Sequence, residues 1–291
     1  MGFRGVYQLA TAQADDGKTW TSWLHKTSAP TPGAAQQWGD LSMGAGTPKY
    51  NAYVGAQLEA TQLVNTNNSA IYLGPTPGSG ETRHLTEIGL QTTQATQNVP
   101  LTMVLCDYLL FYPLIDGDSG DQQDMTQTAA LPRYTDGVGV QAFLVCTSPM
   151  TTNGTVTVAY TDPDDAAQSA TFGVRAVSNL GAIVHTGDAS VVTALASSPF
   201  IPLQSSARGI KRIDSVTFPT AVGGFMSLVL VKPLASILLR EAATWTERPR
   251  FMTAGGSLPR IYDGAFLNFI FQTSGTGNPA TVRGALTFTW S

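Results

Sequence analysis

Residues 116–124 read DGDSGDQQD, and the five letters GDSGD within them (117–121) differ by one from the surroundings of the serine nucleophile in one large class of hydrolases. Such chemistry needs a histidine to take the hydroxyl proton and a buried aspartate to orient that histidine. The three histidines, His25, His84 and His185, all lack the alanine-rich, cysteine-adjacent setting that a histidine of this kind has there, so serine catalysis is not expected. Asp116, Asp118, Asp121 and Asp124 could offer carboxylates to calcium. Their spacing departs from the calcium-loop pattern, and the matching stretch of the second half, LREAATWTE (239–247), does not repeat them, so a solvated acidic loop is expected. Cys106 and Cys146 fit no CxxC or metal spacing and read as small core residues rather than a disulfide. No phosphate loop, zinc spacing or dinucleotide fingerprint occurs. The expectation is a protein without enzymatic activity, with no metal and no cofactor.

The elements around that loop carry a surface of unusual composition. Charged residues make up 12% of the 291-residue chain, about half of the roughly 25% typical of soluble domains. Thr, Ser, Gln and Asn fill the solvent-facing role instead. Arginine (11) outnumbers lysine (5), a bias of surfaces that pack against other proteins. A net charge of -4 without any basic run gives no footprint for nucleic acid or an anionic membrane. The beginning, MGFRGVYQLATAQADDGK, shows no secretory leader, which predicts assembly in a cytoplasm and leaves sequons such as Asn67 and Asn153 without meaning. The longest apolar runs, 99–114 and 223–239, are interrupted by Asp107 and by Lys232 with Pro233; they are too short to span a membrane and read as buried strands.

Period-two alternation dominates. TVTVAY (155–160) and ALTFTW (285–290) alternate apolar with polar residues between Gly, Pro, Asn and Asp punctuation, which predicts an all-β protein. Asn153-Gly154 and GTGNP (275–279) read as hairpin signals before these strands, and only SVVTALASS (190–198) suggests a helical turn or two. The same order of features occurs twice. LPRYTDGV (131–138) returns as LPRIYDGA (258–265), RHLTEI (83–88) as RGIKRI (208–213), and Met103–Leu110 as Leu228–Ala235, at offsets of 125 to 127 that widen to 130 at the last strand. The expected organisation is an N-terminal arm (1–46) and two tandem jelly-roll-like β-sandwich domains, 47–165 and 166–291, the second a duplicate of the first. An immunoglobulin-like sandwich is the alternative, although its Cys-Trp-Cys pattern is missing.

In each LPR segment proline holds the preceding Leu extended and Asp-Gly supplies a tight turn, so the motif reads as a corner between strands. Arg133 and Arg260 would there form internal ion pairs or reach a partner. The arm holds Trp20, Trp23 and Trp38 in a segment rich in Pro and Gly, so the three indoles need a surface: either the arm lies along its own first domain, or they anchor it on a neighbouring subunit. The arm is then expected to be dispensable for folding and needed for association.

MGFRGVYQLATA (1–12), DDGKTWTSWLHKTS (15–28) and LPRIYDGAFLNFIFQTSG (258–275) together resemble structural proteins of tailed bacteriophage virions, most closely head decoration or cement proteins. The resemblance implies a non-enzymatic virion protein that forms a homo-oligomer, preferably a trimer, and binds the major capsid protein. A tail or head-fibre component, or a carbohydrate-binding sandwich module, are the alternatives.

Overall fold

The computed structural model describes residues 3, 6–15, 17–31, 34–65, 69–93, 99–186, 198–249, 258–275 and 281–291. The sequon at Asn67, most of the predicted helical turn at 190–198 and most of GTGNP lie outside them. A helix, α1 (Val6–Ala14), is followed by β1 (Thr19–Ser28), β2 (Trp38–Asp40), a 3-10 turn (Leu41–Met43), β3 (Ala45–Thr47), β4 (Thr61–Gln62), β5 (Arg83–Thr92) and β6 (Leu101–Asp116). Then come β7 (Gln123–Asp124), β8 (Gln141–Cys146), β9 (Gly154–Thr161), β10 (Ala167–Val174), β11 (Arg212–Thr217), β12 (Phe225–Leu239), β13 (Thr246–Pro249), β14 (Phe266–Thr273) and β15 (Val282–Trp290). Apart from α1 and the short 3-10 turn, the described residues are all-β; the helix-favouring VYQLATAQA of α1 buries Leu9 and Ala12 one turn apart. None of the described helices is long and apolar enough to cross a membrane.

A six-stranded sheet, ordered β2-β14-β6-β12-β8, with β4 beside β6, forms the centre. Its axis is the antiparallel pair β6 and β12, 16 and 15 residues long, built from the two apolar runs. Residues 182–184 then bridge the two outer strands: Ile183 N donates to Trp38 O (2.9 Å) and Val184 N to Leu144 O (3.0 Å), so the hydrogen-bond ring closes and no free edge remains there. The interior of the ring packs Trp38, Tyr108, Phe143, Val229, Phe266 and Ile270 together.

The outside of the ring is covered twice. The sheet β13-β5-β15-β1-β3 packs over one end and buries Leu85, Ile88, Leu286 and Phe288 on Leu105, Ile237 and Phe269. The sheet β10-β9-β11-β7 packs over the other and buries Val156, Val158, Tyr160 and Phe172 on Leu109, Leu144 and Leu228. Each long strand therefore serves both sandwiches. Where they pass from one to the other the pairing slips at bulges, one of them at Pro233, which has no N–H for the ladder.

This topology corrects the domain reading. The repeated features occupy equivalent places: β5, β6, β8 and β9 of the first half correspond to β11, β12, β14 and β15 of the second. They are not two separate sandwiches at 47–165 and 166–291. β5 pairs with β15, β9 with β11, β6 with both β12 and β14, and β12 with β8, so every sheet draws on both halves. Asn153-Gly154 does not make a hairpin either, because β8 and β9 lie in different sheets. The hairpin follows β9: Asp162 N donates to Ala166 O, and Asp162 Oδ1 accepts from Asp164 N and Ala166 N before β10.

The arm is corrected as well. β1 lies between β15 and β3 with eight paired positions against β15, and β2 is a strand of the central ring. Asp40, at the end of β2, is fully buried; its carboxylate accepts from Ser42 N (2.9 Å) and from the hydroxyls of Ser42 (2.7 Å), Tyr53 (2.5 Å) and Tyr108 (2.8 Å). Buried Lys26 donates to Gly44 O (3.0 Å) and Pro48 O (2.7 Å), and burial pushes its pKa down to about 8. Polar pins thus anchor Lys26, Asp40, Ser42 and Tyr53 in the interior.

His185, buried beside Phe172, donates from Nε2 to Pro199 O (2.7 Å), and burial pushes its pKa down to about 4. A depressed folded-state pKa means that the contribution is complete above the unfolded value near 6.5 and is lost as pH falls through 4. About 3 kcal/mol should vanish across that window. The expected result is that the stability advantage of the parent over His185→Gln, followed by urea unfolding, shrinks steadily from pH 7 to pH 4. Buried carboxylates titrating in the same range occur in both proteins and cancel. An advantage independent of pH would refute the assignment.

Candidate interaction surface

The two LPR corners meet at the midpoint of the long strands. Asp107 of β6 stands opposite Lys232 of β12, the two interruptions seen in the apolar runs. Arg133 plugs this crossing from the first corner: its Nε and Nη2 donate to the Asp107 carboxylate at 2.8 and 2.7 Å, and Nη2 also reaches Leu63 O (3.1 Å) and Tyr108 O (2.9 Å). Phe266 N completes the carboxylate at 3.0 Å. Burial raises the Asp107 pKa, and the hydrogen-bonded guanidinium opposes that rise. Lys232 Nζ instead donates to Val138 O (2.8 Å) and sits 5.4 Å from the centre of the Tyr134 ring. Tyr134 meets Tyr262 of the second corner edge to face at 5.0 Å. Both corners turn through a glycine in the left-handed region, Gly137 at φ 76° and Gly264 at φ 74°.

From this junction a strip of aromatic and cationic groups runs across the surface. Arg260 is exposed and stacks on Tyr262 at 4.3 Å. Beside it lies a hollow of about 260 Å³ whose walls include Pro132, Arg260, Tyr262, Glu81 and Arg83. Arg83 is buried; Nη1 pairs with Asp263 (3.1 Å), Nη2 donates to Pro75 O (2.6 Å), and its Nε is buried without a partner among the described residues. Arg83 and Asp263 also wall a second hollow of about 240 Å³ bounded by Asn65, Tyr72 and Gly74. Beyond it Trp20 meets Tyr72 edge to face at 5.8 Å, steadied by Nε1 donating to Ser22 Oγ (3.0 Å). Trp20 can lie there because residue 74 is glycine: a Cβ at that position would come within 2.4 Å of the indole. Tyr72 is 61% exposed.

Of the five residues expected to bind a partner, Trp20 and Arg260 lie in this strip. Trp23, 68% exposed, lies on the outward face of the five-stranded sheet against Trp245, ring centres 6.2 Å apart. Trp38 and Arg133 are buried, so the expectation that they reach a partner is corrected: alternation puts Trp38 inside the ring, and Asp107 claims Arg133. Sequence reasoning did not single out Tyr72, Tyr134, Tyr262, Arg83 or Trp245 as interaction residues. A tyrosine one or two places after each LPR was the available signal.

The acidic loop is knit together by its own bonds. Asp118 N donates to Asp116 Oδ1 (2.9 Å), Gln123 Nε2 to Asp116 O (2.8 Å) and Gln122 Nε2 to Asp124 Oδ1 (2.6 Å). No metal-binding group of His, Cys, Asp and Glu occurs among the described residues, and Cys106 and Cys146 are buried free thiols.

No family model and no curated protein matches the chain. Among solved structures it is similar to a mutant VP2 protein of infectious bursal disease virus from derived T=1 particles, at 11% identity over 93% of this chain and 77% of that one, with a TM-score of 0.17. A second structure of T=1 particles derived from the same virus gives 10% identity over 94% and 77%, with a TM-score of 0.18. Likeness at this level carries no argument about fold or role.

Proposed function

We propose that this chain is a non-enzymatic structural protein of a virus particle, a decoration protein that forms a homo-oligomer, preferably a trimer, and binds the major capsid protein so as to bridge capsomers and stabilise a phage head. The observation that supports it is the strip from Trp20 and Tyr72 through Arg83 and Asp263 to Arg260 and Tyr262. Trp, Tyr and Arg are the residues that dominate protein interfaces, and here they are held by hydrogen bonds and stacking, so little ordering remains to be done on binding. The weakly charged surface outside the strip suits close packing against other subunits, and a symmetric oligomer would add weak contacts into firm attachment.

Mixing purified protein with expanded, undecorated heads tests the reading. The parent is expected to sediment with the heads, and Arg260→Glu and Tyr72→Ala to bind at least about tenfold more weakly. Both positions are exposed but each variant loses a ring contact, with Trp20 or Tyr262, so unfolding free energies should fall by no more than about 1.5 kcal/mol. Failure of the parent to bind heads, or unchanged binding by both variants, would overturn the proposal. Light scattering of the free protein reports the oligomeric state.

A further inference from the structure

A second surface lies apart from that strip. On the outward face of the five-stranded sheet one row runs Trp23, Ala285, Gly89, Glu247 across four strands. Ala285 and Gly89 make a low floor, and Trp245 lies over Gly89 so closely that a Cβ there would be 2.5 Å from the indole. Trp23 and Trp245 touch across this floor, their rings inclined by 42°. The Trp245 indole is fixed, its Nε1 donating to Glu247 Oε1 at 2.6 Å. The rows on either side bring Thr21, Thr287 and Glu87 along one flank and His25, Arg283 and Gln91 along the other. Burial and the neighbouring Glu247 raise the pKa of Glu87. Gln91 Nε2 donates to Ala243 O (2.5 Å), and its amide oxygen is an acceptor.

We propose that this platform binds carbohydrate, specifically a neutral oligosaccharide that lays the apolar C–H face of a pyranose ring on the paired indoles. The chemistry of the rim selects this occupant. A sugar needs an aromatic surface one ring deep, and around it, at the height of its equatorial hydroxyls, both acceptors and donors. Glu87, Glu247 and Gln91 supply the acceptors; Arg283 supplies donors, and the Thr21 and Thr287 hydroxyls, which bond each other at 3.3 Å, keep one O–H between them to donate. An apolar protein segment would leave these polar groups desolvated without partners, at a cost to binding. Fixing Trp245 before the ligand arrives removes part of the ordering cost. The site is independent of the capsid-binding reading: Trp23 and Trp245 are not in the strip that carries it.

The full chain is to be tested on an array of immobilised neutral oligosaccharides of glucose, galactose, mannose and N-acetylglucosamine, four to six units long. The best binder is then titrated in solution by tryptophan fluorescence. The parent is expected to bind at least one of these probes, Trp23→Ala and Trp245→Ala to bind it at least tenfold more weakly, and Glu87→Gln severalfold more weakly. Trp23 is mostly exposed, and unchanged thermal unfolding of its variant separates lost binding from lost fold. Binding to no probe, or undiminished binding by both tryptophan variants, overturns the proposal. Loss of head binding in Trp23→Ala, with no probe bound by the parent, overturns it in favour of a protein partner, whereas failure of head binding alone leaves the sugar result standing.

Discussion

Removal of residues 1–46 is expected to abolish cooperative folding. The deletion takes out β1, an interior strand with eight paired positions on β15, and β2, through which the central ring closes. It also takes out Leu24, Trp38, Leu41 and Met43, all buried. Truncating buried side chains of this size costs about 2–5 kcal/mol each, and a domain's whole stability is about 5–15 kcal/mol. Loss of Asp40 further leaves the Tyr53 and Tyr108 hydroxyls without their carboxylate acceptor. Circular dichroism and analytical gel filtration of the 47–291 fragment should show an aggregated or unfolded chain. A soluble fragment with a sharp thermal transition would show that the segment is the dispensable arm that its Pro and Gly content suggests.

Arg133→Met should destabilise the folded protein by about 3–5 kcal/mol, because it strands the Asp107 carboxylate in the interior with one backbone N–H for a partner. Measured by chemical denaturation at pH 7, the loss should be larger than for any exposed arginine. Two controls identify the cause. Adding Asp107→Asn to Arg133→Met removes the uncompensated charge and should recover part of the stability. Lowering the pH should narrow the gap between Arg133→Met and the parent, since an unpaired buried carboxyl has a raised folded-state pKa and regains stability as it is protonated. A loss under 1 kcal/mol would mean that the ion pair does little for the fold and would reopen Arg133 as a surface residue.

Local order was legible in the residues. Alternation set Val156, Val158 and Tyr160 of β9, and Leu286, Phe288 and Trp290 of β15, each on one inward face, and each set does line a single core. The Asp-Gly turns after both LPR segments were legible because a left-handed backbone there all but requires glycine. The repeat itself was visible for the same reason: corners restrict residue choice more than strands do. β1 was not legible, since its inward positions are Ser22, Leu24 and Lys26, and a buried serine and lysine hide the alternation that a strand normally shows.

Of the interaction surface, only the residue types could be read in advance. Trp20, Trp23 and Trp38 lie within nineteen positions of one another, yet the fold sends one to the strip, one to an outer sheet face and one to the interior. Arg133 and Arg260 are the same letter of the same motif, but only the first has an aspartate beneath it, because position 107 is Asp and its counterpart 232 is Lys. By itself, then, the sequence determined the β class, the inward faces and the corners, all of which depend on neighbours a few residues away. The choice of partner for each strand fell to the tertiary structure. Backbone hydrogen bonding is the same for every strand, so nothing local to β5 distinguishes β9 from β15; what decides is which pairing lets both long strands bury their two ends at once.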